Sequence, residues 1–230
     1  MTLKTLPKLT LRKIKERFPN YALQRFCLAS MLIHLPPRRL EDYFKMYIVY
    51  DDLVQDSETY NYITVERGTF KVKRMFYNAY KMSAKRLLGK IVIDFSKPNK
   101  HYRMLIKKTI ISFKKATEAI ERYIKNTRGK DVPTRKRKKP PASSALFFKA
   151  KKRDGTTDLY DSPSFSTYVS NTFNFLTGKK KYNNNLLRHA FVNHMYDAKL
   201  VKFPSDQRAY GKMIGHREST FFEYRKNITC

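Results

Sequence analysis

The chain has 230 residues, which is enough for one sizeable hydrophobic core, and its 41% of apolar and 14% of aromatic residues exclude an intrinsically disordered polypeptide. Its 49 Lys and Arg against 19 Asp and Glu give a formal net charge of +30, which favours a polyanion as partner because each neutralised phosphate releases a counterion. Nucleic acid is therefore favoured over an acidic membrane surface or a basic scaffold role, and the two cysteines exclude a disulfide framework.

Proline separates the first two predicted helical segments. Residues 20–34 predict a mostly buried helix with Cys27 in its core, and the helix ends before Pro36, because proline disfavours a helical conformation of the residue before it. Residues 38–50 predict a second helical segment, of which residues 48–50 could be extended. The apolar face of this segment consists of Leu40, Tyr43, Phe44, Met46 and Tyr47.

Three strands and a long helix are predicted next. Residues 60–65 alternate between apolar and polar side chains, which is typical of a strand. Two further strands are predicted at residues 69–76 and in the segment GKIVIDF from Gly89. Together they predict a small antiparallel sheet of about three strands. From Pro98 to about Lys125, apolar residues recur at helical spacing among many basic ones, which predicts one long basic amphipathic helix.

The second half of the chain begins with a segment of different composition. Residues 127–158 include the run PTRKRKKPP at 133–141 and predict a flexible basic insertion. This run could contact DNA phosphates, serve as a nuclear address or form a solvated loop. Four helices are predicted after it: residues 163–178, one from residue 186, and about 205–214 and 218–226.

The C-terminal residues include a compact set suited to phosphodiester chemistry. Breaking such a bond without a metal needs an oxygen nucleophile, cations for the non-bridging oxygens, an acid for the leaving oxygen and a group that orients the nucleophile. Arginine suits the second role because its planar guanidinium binds phosphate oxygens in a bidentate manner. The segment NLLRH contains Asn185 and Arg188. His216, in the segment IGH, lies 28 residues beyond Arg188, and Tyr224 lies eight residues further on.

These segments resemble the tyrosine recombinase (phage integrase-like) family, which has an H-x-L-R-H box, an L-G-H box and a tyrosine about nine residues beyond it. The forms NLLRH and YRK resemble homologues from large DNA viruses and mobile elements. The resemblance implies a mainly α fold with a small antiparallel β-sheet (α+β), in which residues 1–230 form a single catalytic domain without a separate N-terminal DNA-binding domain. It also implies that Tyr224 attacks a DNA phosphate to give a 3′-phosphotyrosine link, while Arg188 binds the non-bridging oxygens and His216 orients the reacting groups.

The resemblance extends to upstream residues. The family's first catalytic arginine lies between two helices and is followed by an apolar and then an acidic residue, and Arg39 in PPRRLEDY corresponds to it. Arg38 in that place would instead put Asp42 at a core position. The family's catalytic lysine lies in or beside the small sheet. Lys81 is the corresponding candidate for the general acid, with Lys85 as the alternative.

Two features of the C-terminal residues depart from the family pattern. Asn185 stands where the family usually has histidine, and asparagine can hydrogen-bond a phosphate oxygen but cannot transfer a proton. His189 could compensate, or it could pack structurally. The spacing from His216 to Tyr224 is one residue shorter than usual, which on a helix turns the tyrosine by about 100°. Only six residues follow Tyr224, so we do not expect exchange of a C-terminal helix between subunits.

The resemblance further implies double-stranded DNA as partner, self-association on that DNA, and neither a cofactor nor a metal. No run approaches the ~18 apolar residues of a membrane span, and the first residues lack the apolar core of a secretory signal. We therefore expect an intracellular protein that acts in a host nucleus or at a site of viral DNA replication. Two alternatives stay open: a type IB topoisomerase, which uses similar residues, and a degenerate homologue that only binds DNA in viral genome processing or transcription.

Overall fold

The computed structural model of the chain describes residues 11–17, 21–53, 60–78, 90–135, 139–154, 156–178, 184–216, 221 and 223–225. Its α-helices are α1 (Leu11–Arg17), α2 (Ala22–His34), α3 (Leu40–Phe44), α4 (Lys100–Lys107), α5 (Phe113–Tyr123), α6 (Ser162–Thr177), α7 (Asn184–Asp197) and α8 (Pro204–Met213). Its strands are β1 (Met46–Tyr50), β2 (Asn61–Val65), β3 (Val72–Tyr77), β4 (Ile91–Asp94), β5 (Ala150–Lys151) and β6 (Thr157–Asp158). The architecture is therefore α+β, as the sequence predicts.

Helix α2 lies at the centre of one buried cluster that extends from Ile14 to Phe221. The prediction for residues 20–34 is confirmed, and Cys27 is fully buried. The one buried amide of this helix, Gln24, accepts a hydrogen bond from the Tyr123 hydroxyl at 2.8 Å, which ties α2 to α5. No helix among the described ranges is long and apolar enough to cross a membrane.

Within the described residues, the main sheet has four strands in the order β1-β2-β3-β4. The three predicted strands correspond to β2, β3 and β4, and their antiparallel pairing is confirmed, but the prediction missed β1, which makes the sheet mixed. β1 pairs in parallel with β2, and the other two pairs are antiparallel. Met46 and Tyr47 belong to β1 and not to the helical face that the sequence predicts. A strand that is buried on both faces is a continuous apolar run, and its periodicity does not distinguish it from a buried helix.

The single long helix predicted from Pro98 to Lys125 is also wrong, because two α-helices, α4 and α5, occupy this range. Thr109 has a φ of 56°, in the left-handed region that an α-helix cannot continue through. Ser112 then caps α5 by accepting a hydrogen bond from the Lys115 backbone N–H. The apolar spacing runs through this break, and the pattern alone therefore did not reveal it.

The segment predicted as a basic insertion, 127–158, contributes to the core. Leu146 and Phe147 are fully buried, and β5 and β6 form a short hairpin. The buried guanidinium of Arg128 donates to the carbonyl oxygens of Ser143 and Ala145. Residues 136–138 of the basic run lie outside the described residues, and the flexibility of the segment stays a prediction.

The helices predicted after this segment are confirmed where the structure describes them. Asp161 caps α6 by accepting from the Ser164 N–H at 2.8 Å, and Gly178 ends the helix with a φ of 66°. Helices α7 and α8 begin within two residues of their predicted starts. Residues 221 and 223–225 are helical, and the rest of the predicted 218–226 helix lies outside the described residues.

Candidate active site

A surface cavity of about 690 Å³ brings together five of the predicted site residues, which are far apart in the sequence. These residues are Arg39 at the N-terminus of α3, Asn185 and Arg188 on α7, His216 after α8, and Tyr224 in the C-terminal helical residues. The cavity is also lined by Leu40, Glu41, Ser162, Ser166, Val169 and Ser170. The arrangement places two arginines and one tyrosine around a space that is open to solvent.

Arg188 is buried, and within the described part of the chain it has no carboxylate partner. Its side chain belongs to a residue only 3% exposed, and Nη2 donates to the Ile214 carbonyl oxygen at 3.1 Å. Among the described ranges, no Asp or Glu lies within ion-pair distance of this guanidinium, and its Nε–H has no hydrogen-bond acceptor. Burial lowers the pKa of Arg188 to about 10, with Tyr224 opposing the shift and Arg39 adding to it. The group remains a cation at neutral pH and has donor capacity left for an anion.

The neighbouring arginines of the PPRRLEDY segment have different surroundings. Arg38 is fully buried, and its Nε donates to Asp42 Oδ2 at 2.8 Å while its guanidinium lies 4.1 Å from the centroid of the Tyr77 ring. Arg39 is half-buried and lines the cavity. The sequence argument for Arg39, that it keeps Asp42 out of the core, is wrong: Asp42 is 1% exposed, because its ion pair with Arg38 compensates for the burial of both charges.

The two buried arginines hold the chain just before His216. Arg38 Nη1 donates to the Met213 carbonyl oxygen at 3.0 Å, and Arg188 Nη2 donates to the next carbonyl, that of Ile214. Gly215 follows with a φ of +73°, and the His216 N–H donates back to the Gly211 carbonyl oxygen at 2.8 Å. The end of α8 is thus tied to the segment just before α3 and to α7, and His216, at 5% exposure, is fixed at the cavity wall.

We expect Gly215→Ala to destabilise the protein by about 2–3 kcal/mol, because it combines left-handed backbone strain with a steric conflict. A Cβ at Gly215 would lie 3.0 Å from Arg38 Nη2, and that guanidinium is held by Asp42 and cannot easily move away. Gly68 and Gly178 also have positive φ, but a Cβ at either would meet nothing within 4 Å, so Ala there should cost only about 1 kcal/mol. Urea unfolding of the three alanine variants measures their free energies of unfolding. Equal losses of stability in all three would contradict a steric conflict at Gly215.

Among the described residues, two histidine rings and the Arg188 guanidinium lie close to the Tyr224 ring. Its ring centroid lies 5.0 Å from that of His216 and 4.3 Å from that of His189, and the Arg188 guanidinium carbon lies 5.2 Å from it. His189 Nδ1 also bonds the Tyr224 backbone carbonyl at 2.8 Å, and so it positions this segment. The shorter spacing from His216 therefore does not separate the two side chains. Among the described residues, none hydrogen-bonds the Tyr224 hydroxyl.

Lys81 and Lys85, the candidates for the general acid, lie outside the described residues. The sequence reasoning missed the serines of α6, since an uncharged helical serine carries no distinctive pattern. It left open whether His189 lies at the site or packs structurally, and the structure shows that its ring bonds the Tyr224 backbone. Among the described residues, no three His, Cys, Asp or Glu side chains are grouped so that they could hold a metal ion.

Comparisons with protein-family models, with curated proteins and with solved structures found no match to this chain.

Proposed function

We propose that this protein cleaves and rejoins DNA strands through a covalent 3′-phosphotyrosine link at Tyr224, on a domain with a tyrosine-recombinase-like fold. The observation that carries the proposal is Arg188, a buried guanidinium without a carboxylate partner among the described residues, in the same cavity as Arg39, His216 and Tyr224. Burying a cation without a counter-charge is costly, and the folded chain bears this cost at the position where a phosphate would compensate it. The net charge of +30 supports DNA as the source of that phosphate.

In the proposed reaction, the Tyr224 phenolic oxygen forms a bond to phosphorus and the bond from phosphorus to the 5′ oxygen breaks. The phenolic proton passes to His216 or to solvent, and the departing 5′ oxygen receives a proton from a general acid, for which Lys81 is the candidate. Arg39 and Arg188 bind the non-bridging oxygens as negative charge develops on them. The link formed is again a phosphodiester, so religation by the 5′ hydroxyl needs no nucleotide cofactor.

The carboxamide of Asn185 is suited to hydrogen-bonding the phosphate but not to proton transfer. Exchange of strands between two sites would require self-association on double-stranded DNA. The proposed place of action is the host nucleus or a site of viral DNA replication, as the resemblance implies.

A DNA duplex with a sulfur in place of one bridging 5′ oxygen tests the proposal. A thiolate leaves without protonation and religates poorly, so the covalent protein–DNA adduct should accumulate even if the general acid is impaired. A pool of duplexes with random sequence around the sulfur removes the need to know the target site. We expect an adduct on a denaturing gel with the wild type and none with Tyr224→Phe.

Tyr196→Phe is the matched control, because Tyr196 packs against Phe221 and Arg225 of the same C-terminal segment without lining the cavity. This variant should form the adduct at the wild-type level. An adduct that persists in Tyr224→Phe would refute the nucleophile assignment. DNA binding with no adduct from any duplex would indicate the degenerate DNA-binding homologue, and relaxation of supercoiled plasmid by the monomer would indicate a topoisomerase.

A further inference from the structure

A row of serines on helix α6 lines the same cavity as the two arginines. Ser162, Ser166 and Ser170 are spaced by four residues, which places them on one face of the helix over a rise of about 12 Å. The proposed chemistry at Tyr224 uses none of them. At about 690 Å³, the cavity is also more than 20 times the ~30 Å³ that one water molecule occupies in the liquid, which leaves room for more than a single phosphate group.

Two hydroxyls of this row, those of Ser162 and Ser166, differ from the threonine hydroxyls of α6. Thr167, Thr172 and Thr177 each donate to the carbonyl oxygen four residues earlier in the helix, so their donors are already used. Ser162 and Ser166 are exposed, and neither side chain hydrogen-bonds another residue within the described part of the chain. Their donors are therefore available to a ligand in the cavity.

Arg188 is the independent sign that the ligand is an anion. It is more than nine-tenths buried, it lines the same cavity, and its Nε–H has no acceptor among the described residues. Among the described residues, the lining contains two arginines against one carboxylate, Glu41, so its charge also favours an anion. If one DNA phosphate binds between the two arginines, the adjoining part of the same DNA strand can lie along the serine row.

We propose that Ser162 and Ser166, with Ser170 beside them, bind the backbone of the DNA strand that flanks the phosphate held by Arg39 and Arg188. Hydroxyl side chains are common donors to phosphate oxygens, and such contacts set the register of a protein on DNA without reading its sequence. This inference rests on the proposed function for its choice of DNA as the ligand. The serines are positioning residues, and they take no part in the bond changes at phosphorus.

Neutral donors leave a distinct signature in the salt dependence of binding. Replacing an arginine or lysine that contacts phosphate reduces the slope of log affinity against log salt by about one, because one fewer counterion is released. A serine hydroxyl displaces no counterion. We therefore expect Ser162→Ala/Ser166→Ala to weaken binding about 3- to 20-fold at every salt concentration with an unchanged slope. Arg39→Gln should weaken binding and reduce the slope.

The experiment measures the fluorescence anisotropy of a labelled 40-base-pair duplex titrated with full-length protein at several salt concentrations. A second pair of variants, Ser166→Asp and Thr167→Asp, changes the net charge equally at adjacent exposed positions of α6, and only the first lines the cavity. Ser166→Asp should weaken binding at least about tenfold more than Thr167→Asp, since only there does the carboxylate lie beside the bound strand.

Equal losses in the two aspartate variants, or wild-type affinity in the double alanine variant, would refute the inference. Thermal unfolding of each variant in the absence of DNA identifies any loss of folded structure, and the aspartate pair keeps the comparison valid if one alanine variant is unstable. Because this assay measures binding alone, its result is separate from adduct formation at Tyr224. A wild type that binds through the serines but forms no adduct would refute the cleavage proposal and leave this one standing.

Discussion

Replacement of Arg188 by methionine should raise the thermal stability of the protein and abolish adduct formation with DNA. Burial lowers the pKa of Arg188 from its ordinary value of 12.5 to about 10. Each unit by which the pKa falls corresponds to about 1.4 kcal/mol of free energy against the charged form in the folded protein. The penalty is therefore on the order of 3 kcal/mol. Loss of the hydrogen bond from this charged group to the Ile214 carbonyl costs about 1.5–2 kcal/mol, which leaves a net gain of about 1–2 kcal/mol in the free energy of unfolding.

The pH dependence of this gain follows from the direction of the pKa shift. A cationic group with a lowered pKa destabilises the folded state at every pH below its folded pKa, where it is charged in both states. The penalty diminishes as the pH rises through about 10, because the folded protein then loses the proton first. The advantage of Arg188→Met should thus be constant from pH 6 to 8 and smaller above pH 10.

Thermal unfolding with and without DNA measures this effect. A gain of 1–2 kcal/mol corresponds to a melting temperature about 2–8 °C higher for a chain of this length. Saturating duplex should raise the melting temperature of the wild type more than that of the variant. DNA stabilises the folded state that binds it, and we expect the wild type to bind it more tightly. Arg39→Met, at a half-buried position of the same cavity, is the control and should show no such gain. A clear fall in the melting temperature of Arg188→Met would instead show that Arg188 is a structural cation.

Asp42→Ala should have the opposite effect and destabilise the protein by about 3–5 kcal/mol. The substitution leaves the fully buried guanidinium of Arg38 without its carboxylate partner, and an unpaired buried charge carries a penalty of this size. Removing both charges in Arg38→Met/Asp42→Leu should recover most of the loss, because apolar side chains of similar volume need no counter-charge. Denaturant unfolding of Arg38→Met, Asp42→Leu and the double variant gives the coupling energy between Arg38 and Asp42.

Glu41→Ala is the matched control for Asp42→Ala, because it removes the same charge from the adjacent residue at an exposed position. Its unfolding free energy should remain within about 0.5 kcal/mol of the wild type. If Glu41→Ala and Asp42→Ala lose similar amounts, the effect belongs to net charge and not to the buried pair.

The sequence predicted those elements whose ends carry chemical signals. Helix α2 ends before Pro36, and α6 has Pro163 in its first turn and ends at Gly178, so both could be located before the structure. The family resemblance of the segments around Arg188, His216 and Tyr224 likewise pointed to residues that the structure brings to one cavity.

What the sequence could not predict depends on tertiary contacts. The parallel strand β1 is buried on both faces and has no alternation to reveal it, and the break at Thr109 leaves the apolar spacing intact. The different surroundings of Arg38 and Arg39 depend on which way each side chain points after Pro36 and Pro37. The same holds for the serines of α6, whose exposure to the cavity is set by the packing of α6 against α3.

The hydrogen bond from Arg188 to the Ile214 carbonyl joins two parts of the site that the sequence keeps apart. The guanidinium that would meet the phosphate also holds the backbone two residues before His216. Any movement of Arg188 toward a ligand must therefore be shared by the segment that carries His216, or else that hydrogen bond must break. Binding of an anion at Arg188 and the position of His216 are thus linked equilibria. The change in the free energy of anion binding that a shift of His216 causes equals the change in the free energy of that shift that the anion causes.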